Sequence, residues 1–410
     1  MFRVDYEPKM SVANDSSAPE PDMALLSKQH MEREPSSYSS DESSIKDDII
    51  YIHGPRFWAM SSVIGILLFL VLLEIPIVIT ALVAIANELG DFGNVSWVLA
   101  SYLLGYIAVI VIFAKLSDLV GRKTMLLVSA SFFIVFSAAC GASQTLDQVI
   151  IFRAFQGIGG GGCYSLCTIL MMEVVPPERY ASYVSTLSIM GALALLLGPI
   201  IGGAIAANTT WRWIFLLNIP IGVVAFVMAL IAMPRGFPYQ GQSFKHPPKD
   251  AFESKILNRV DFPGALLLMS ATLGLTAGFE EADSRFPWNS PFVISLLTGS
   301  GVLWIILVIW ERHVTLFNRT REPVLPWRFL INRQMMSLLC NQLLLGGPTL
   351  IGMFVLPQRF ELVYGLSGLQ AGIRLIPFSF AIPVATIIAG SLAGKRKIPI
   401  LYIFIIGSLF

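Results

Sequence analysis

Runs of about 20 apolar residues recur along the chain, and no other feature constrains its fold as much. A helix rises about 1.5 Å per residue, so about 20 residues cross a hydrocarbon core about 30 Å thick. Within that core each backbone polar group must find its partner inside the segment, so these runs are read as spanning helices. They fall near Phe57–Ala84, Trp97–Ala114, Met125–Ala142, Val149–Met171, Tyr183–Ala206, Ile214–Ala232, Gly264–Phe279, Phe292–Trp310, Met335–Leu356, Ala371–Leu392 and from Ile398 onward. Of 410 residues, 55% are hydrophobic and 13% charged, about half the charged share of a soluble globule. The expected fold class is an all-α membrane protein. As a helix, Ile398 to Phe410 covers about 20 Å, less than the core, so the sequence is expected to stop inside the membrane.

Residues 1–50 differ from the rest. They are rich in Ser, Pro, Asp and Glu and hold 11 acids against 5 bases, a net of −6 that leaves +7 on the remainder. Such a segment cannot bury enough apolar surface to fold and is read as a disordered tail. It lacks the apolar core of a signal peptide, so the first span must direct insertion. Orientation follows from Lys and Arg in the loops. Alternate loops beginning with the N-terminal flank (Arg56; 115–123; Arg179; 235–259; 312–333; 395–397) hold 18, and the opposing loops hold three, Arg212, Arg285 and Arg359. The N-terminus is therefore placed in the cytosol. On the other face, Asn94-Val95-Ser96 and Asn208-Thr209-Thr210 are glycosylation sequons close to the bilayer. The near-neutral total of +1 argues against a nucleic-acid partner.

The stretch FAKLSDLVGRKTM (Phe113 to Met125) interrupts two apolar runs with Lys115, Asp118, Arg122 and Lys123. Positive-inside anchoring explains Arg122 and Lys123 but not Asp118, because acids contribute little to orientation. Asp118 is four residues from Arg122 and can pair with it, or face the positive N-terminal end of a neighbouring helix. Gly121 allows the tight turn. A cluster of this kind, made and broken as two bundles rock, would be a latch. AGSLAGKRKIPI (Ala389 to Ile400) repeats the outline without the acid. GLQAGIRLIPF before it opens a span much as VSWVLASYLLG opens the second. Weak self-similarity at such a distance is the mark of parallel repeats in transporters. The expected layout is a tail (1–50), a six-helix bundle (57–232), a cytosolic linker (233–259), two extra helices (260–310), a cytosolic loop (311–334) and an incomplete second bundle (335–410). Fourteen spans are intended, of which this chain supplies about ten and a half.

Further polar groups lie inside spans. FRAFQGIGGGG (Phe152 to Gly162) puts Arg153, Gln156, Gly157 and Gly160 on one helical face. A charge in a span normally faces a cavity or a partner, although an interfacial Arg can also snorkel. LLEIPIVITAL (Leu72 to Leu82) carries Glu74 and Pro76. An isolated carboxylate in hydrocarbon neutralises or finds a partner, and a carboxyl that exchanges a proton is what proton coupling needs. The plainer alternative is a neutral Glu bonded to backbone freed by Pro76. GALALLLGPIIGG (Gly191 to Gly203) sets Gly198 and Gly202 in small-xxx-small spacing, with Gly191 a further turn-pair back and Pro199 inside the span. Such a face lets two helices approach closely, either within one bundle or as a seam between halves. Arg374 is another in-span charge and a candidate cavity partner. WRWIFLLNIP (Trp211 to Pro220) reads as an outer aromatic belt with Arg212 at the interface.

The cysteines, Cys140, Cys163, Cys167 and Cys340, all lie in apolar runs. Cys163 and Cys167 are one helical turn apart, but no His accompanies them. They are read as small packing residues, and no metal and no cofactor is expected. The loops hold no convergent His/Cys/Asp set and no Gly-Lys-Ser/Thr phosphate loop, which argues against an enzyme and against ATP as fuel.

Several of these segments, in this order, resemble motifs of the major facilitator superfamily, and within it the fourteen-span drug:proton antiporters of fungi. AKLSDLVGRK is similar to the loop motif after span two, RAFQGIGGG to the span-four motif, GPIIGG to the end of the span-five antiporter motif, and WRWIFLLNIP to span six. PVLPWRFLINR (Pro323 to Arg333) and YGLSGLQAGIRLIPF (Tyr364 to Phe378) match the second half. The resemblance covers roughly Phe57 to the end. It implies a major facilitator fold of two pseudo-symmetric helix bundles, with Asp118 and Arg122 holding a cytosolic gate that includes Lys115, Gly121 and Lys123. It also implies that Arg153, with Gln156 and Glu74 beside it, serves proton transfer, and that Gly191, Gly198, Pro199, Gly202 and Gly203 seal the halves. Two departures are mild: Ala114 stands for the loop motif's first Gly, and Glu74 for a first-span Asp. A third is larger, since the gate's helix partner belongs to last spans that this sequence does not contain.

The function expected from sequence is proton-driven export of small amphipathic drugs, toxins or secondary metabolites by alternating access, with a site near the midplane. The partners are the bilayer, a small molecule and protons, the protein is a monomer, and the plasma membrane is favoured over the vacuolar one. The alternatives are a vacuolar carrier, a carrier of siderophores or basic amino acids, and a non-functional truncated copy.

Overall fold

A computed structural model of the chain describes residues 54–90, 93–234, 237, 261–283, 285–317, 321, 323–366, 370, 373–395, 402 and 407. The expected tail at 1–50, most of the linker at 233–259, the end of the second charged turn at 396–397 and the span from Ile398 (apart from residues 402 and 407) lie outside the described residues. Among the described residues no strand forms, and an isolated bridge joins Ala282 to Phe286.

The first span begins at Pro55, whose missing N–H costs nothing at a helix start, and runs as α1 (Pro55–Ile79). The sequence predicts one span through Ala84, but the helix stops at Thr80 and restarts as α2 (Leu82–Leu89). Pro76 loosens the turn before it, because it supplies no N–H and crowds that turn, but at the break itself the Ala81 N–H bonds the Val78 carbonyl at 2.9 Å in a tightened turn. The Thr80 hydroxyl donates to the Ile77 carbonyl at 3.0 Å. Next come α3 (Trp97–Val120), α4 (Arg122–Ala142) and α5 (Leu146–Glu173). The side chain of Thr145 caps α5 by accepting from the Gln148 N–H. After a short 3-10 turn come α6 (Tyr180–Asn208), α7 (Arg212–Leu216) and α8 (Asn218–Ala232). The hairpin α9 (Phe262–Glu281) and α10 (Pro291–Phe317) follows, then α11 (Trp327–Ile331), α12 (Arg333–Leu362) and α13 (Ile376–Lys395).

Seven helical segments among the described residues are long and apolar enough to cross a membrane. The segment at Leu146–Glu173 is not one of them, although the sequence predicts a span there. Its Arg153, Gln156 and glycine run dilute its hydropathy, and it need not be apolar because it is packed against α1, α3 and α4. The glycines make that packing possible. A Cβ on Gly157 would run into the backbone of Tyr102, and one on Gly159 would sit 2.7 Å from Phe133 Cα. Large apolar side chains on α8 and α10, such as Ile231 and Ile309, stand exposed on the outside, where a bilayer would cover them.

The apolar core of the first eight helices forms two clusters. Along α1 one takes Met60 to Val71 and the other Leu73 to Val78, with Ala81 of the turn beyond it. Glu74 enters at the junction.

Candidate functional site

Around Glu74, five helices converge. The carboxyl is on α1, Arg153 and Gln156 are on α5, Asn218 heads α8, and Ser137 and Cys140 are on α4, with Tyr102 of α3 alongside. Arg153 Nη1 donates to Glu74 Oε1 at 2.5 Å and to Gln156 Oε1 at 2.9 Å. Gln156 Nε2 donates to Glu74 Oε1 at 2.9 Å and to Ser137 Oγ at 2.7 Å. Asn218 Nδ2 donates to Glu74 Oε2 at 2.6 Å. Arg153 Nε reaches the Val98 carbonyl at 3.0 Å, and the guanidinium lies 4.2 Å from the Tyr102 ring centroid. Both Glu74 and Arg153 are 0% exposed.

This is an ion pair held away from water, with its acid satisfied by side chains on three sides. Arg153 is therefore not snorkelling, and the Glu74 oxygens bond to side chains rather than to backbone freed by Pro76. The network is not saturated: Arg153 Nη2 and Tyr102 Oη are buried without a hydrogen-bond partner. A buried ion pair is costly to break from one side, by about 3–5 kcal/mol, because the partner is left as a lone charge.

The second cluster sits where α3 meets α4. Arg122 Nη2 is 2.6 Å from Asp118 Oδ1 and 2.8 Å from Glu173 Oε1, and Arg122 Nε donates to Glu173 Oε1 at 3.1 Å. Arg122 also donates to Ser117 Oγ. Gly121 has φ +103°, a conformation that residues with a Cβ rarely adopt. Lys123 Nζ donates to the carbonyls of Leu230 and Met233 at 2.6 and 2.5 Å, at the C-terminal end of α8, where a cation meets the negative end of the helix dipole. Asp118 therefore takes the first of its two predicted options, pairing with Arg122. Burial pushes up the carboxyl of Glu173, which lies beyond the apolar run of α5, while the Arg122 guanidinium opposes this.

The remaining predicted residues are dispersed. Gly198 of α6 faces Pro76 of α1, Gly202 faces Ile77 and Thr80, and Gly191 faces Leu72. The glycine face thus touches a helix of the same half, the within-bundle option, while α6 also packs on α13. Pro199 lies inside α6, with Gly203 on the same helix. Arg374 is exposed, 5.7 Å from the Phe360 ring centroid, and not in the buried network. Asn208 is exposed at the end of α6, and Asn94 is half-buried ahead of α3.

Sequence reasoning missed Asn218, Ser137 and Glu173. Asn218 had a signal, an amide inside an apolar run two residues before Pro220. Glu173 had another, an acid at the end of α5 that the alternation of spans puts on the same side as the loop after span two.

Residues 64–410 match the Major Facilitator Superfamily. The MFS-type transporter FPY5 of Fusarium mangiferae is 41% identical over 362 residues, 88% of this chain and 60% of that protein. Multidrug resistance protein 3 of Bacillus subtilis is 30% identical over 342 residues, 83% of this chain and 62% of that protein. Efflux pump FUS6 of Gibberella fujikuroi is 28% identical over 359 residues, 84% of this chain and 60% of that protein. This chain thus spans about three fifths of the length of these curated relatives. Among solved structures, the proton:xylose symporter XylE bound to 6-bromo-6-deoxy-D-glucose aligns with TM-score 0.51 and 13% identity, over 82% of this chain and 69% of that one, a likeness of fold.

Proposed function

The chain belongs to the major facilitator superfamily, and from that premise we propose that it acts in proton-coupled export of small amphipathic drugs, toxins or secondary metabolites by alternating access. The names of relatives as a multidrug resistance protein and an efflux pump favour export. The observation that carries the proton is the dry Glu74–Arg153 pair with Gln156 and Asn218 around it. A proton arriving on Glu74 removes its negative charge and leaves Arg153 without a counter-ion. Arg153 is then driven toward water, and α1, α5 and α8 lose the bonds that hold them together. Release of the proton re-forms the lock. Coupling follows if substrate occupies the protein only in the protonated arrangement's counterpart.

In this reading Asp118, Arg122 and Glu173 latch the cytosolic side, with Lys115, Gly121 and Lys123 shaping the turn. Helix α6, which contacts both α1 and α13, is the seam to the second half. Its Gly191, Gly198 and Gly202 let it sit close to α1, with Pro199 and Gly203 on the same helix, while it moves against α13. The layout keeps the sequence boundaries: a first bundle at 57–232, an extra hairpin within 260–310 and part of a second bundle from 335. The N-terminus is cytosolic, the protein is a monomer of the plasma membrane, Asn208 and Asn94 are outer glycosylation sites, and Arg374 meets the cavity once the halves part.

The full 410-residue chain in proteoliposomes with an imposed pH gradient tests this. Gradient-driven dye movement is expected, and Glu74→Gln and Arg153→Ala each abolish it while leaving insertion intact. Wild-type flux in either variant would refute the assignment, and no flux in the wild type would refute the reading for this chain.

A further inference from the structure

The α9–α10 hairpin contributes to neither network above, yet its base buries two acids. Asp261, the N-cap of α9, is 1% exposed and Glu311 of α10 is 0% exposed. Asp261 is well satisfied as an acceptor. The Gly264 N–H donates to its Oδ1 at 3.1 Å, and the Trp310 indole N–H lies 3.0 and 3.1 Å from Oδ1 and Oδ2. These donors and the head of a helix favour a negative charge there. Glu311 is the opposite case, since neither of its carboxyl oxygens has a hydrogen-bond partner. The amides of Val324 and Leu325 lie near it without completing a hydrogen bond. A Cβ on Gly264 would collide with Asp261 Oδ2 and sit 2.9 Å from Glu311 Oε1, so the glycine is the gap in which the two acids meet.

Two buried carboxyls beside one glycine disfavour each other's ionised form. With the negative charge held on Asp261 by its donors, the proton belongs on Glu311. We propose that Asp261 and Glu311 form a second proton-binding site, separate from Glu74, that ties the α9–α10 hairpin to Lys115 of α3. On binding, a hydronium ion passes its proton to a Glu311 oxygen, and the pair goes from two negative charges to one. Among the described residues, the charges acting on Glu311 are Lys115 from α3 and Asp261 from α9. When the proton leaves, the ionised Glu311 is attracted more strongly to the Lys115 ammonium and to the amides of Val324 and Leu325 that already act on it. That segment leads into the second half. Its Trp327 N–H donates to Thr315 Oγ1 of α10 at 3.2 Å, and Arg312 lies 5.6 Å from the Trp327 ring centroid. Proton occupancy at Glu311 therefore sets how firmly α3, the hairpin and the approach to α12 are joined. The link to the gate rests on the transport reading, whereas the proton site does not.

The test is infrared spectroscopy of the full chain in lipid across a pH titration, following the C=O stretch of protonated carboxyls. A titrating band is expected in the wild type, absent in Glu311→Gln and retained in Glu74→Gln. In Lys115→Met its loss on alkalinisation moves to higher pH, because a stabilising positive charge is gone. Gln matches the protonated Glu in shape, so Glu311→Gln is expected to fold; should it not, the Lys115→Met titration decides alone. An unchanged band in Glu311→Gln, or an unshifted titration in Lys115→Met, would overturn the proposal. Loss of gradient-driven flux with the Glu311 band intact would defeat only the transport reading.

Discussion

Two of the arginine–carboxylate contacts in the first half, at Glu74–Arg153 and at Arg122, use the same chemistry in different solvents. Arg153 and Glu74 are both 0% exposed, whereas Arg122 and Glu173 are 12% and 20% exposed and Asp118 is 49% exposed. Out of water, the Coulomb attraction is strong and so is the penalty for a lone charge. Near water, solvent and salt screen the pair, and it contributes about 0–1 kcal/mol. The buried cluster is therefore a commitment that only a change in protonation can undo cheaply. The half-exposed one is a contact that thermal motion can open and close, which suits a latch.

That contrast can be broken in order of expected effect. Arg153→Ala strands Glu74 in the core and should lower stability by about 3–5 kcal/mol; the Glu74→Leu, Arg153→Leu double variant should recover most of it. Denaturant unfolding in mixed micelles measures both, and an Arg153→Ala loss no larger than that of Arg122→Ala would end the distinction. Gly159→Ala probes whether the buried network depends on close helix approach. With a Cβ 2.7 Å from Phe133 Cα, overpacking should cost about 1–3 kcal/mol, and the same melts check it. Asn218→Ala removes one donor to Glu74 without stranding a charge. A cost of about 1–3 kcal/mol is expected, smaller than for Arg153→Ala, in the same assay. Glu173→Gln should cost about 1 kcal/mol or less, an effect that shrinks as salt is raised. A salt-independent cost there would mean that the Arg122 cluster is effectively buried and the comparison wrong.

Much of this was legible in the sequence because hydrophobic length and spacing are local. The charged turn at 115–123 stood out between apolar runs, and the three-residue spacing of Arg153 and Gln156 put both on one face of α5. Glu74 stood out as an acid in hydrocarbon. Its bonds to Gln156 and Asn218 did not, since nothing local says which helices adjoin α1. The glycines of α6 announced a close approach, but not that its target was Pro76 and Ile77 of α1. The single span drawn through Ala84 failed at Thr80 because a hydropathy window averages over local backbone hydrogen bonding, here the tightened turn at Ala81 and the Thr80 hydroxyl on the Ile77 carbonyl.

The sequence alone determined the fold class, the family and seven segments apolar and long enough to cross a membrane, because the cost of exposing polar backbone to lipid is a property of each segment by itself. Only the tertiary structure decided who meets whom: Asn218 bonds to Glu74, Arg122 bonds to Glu173, and Asp261 and Glu311 come to the same glycine, Gly264. Those choices are made by helix adjacency, and contacts between residues 50 to 144 positions apart depend on how the helices pack, which the periodicity of each one does not encode.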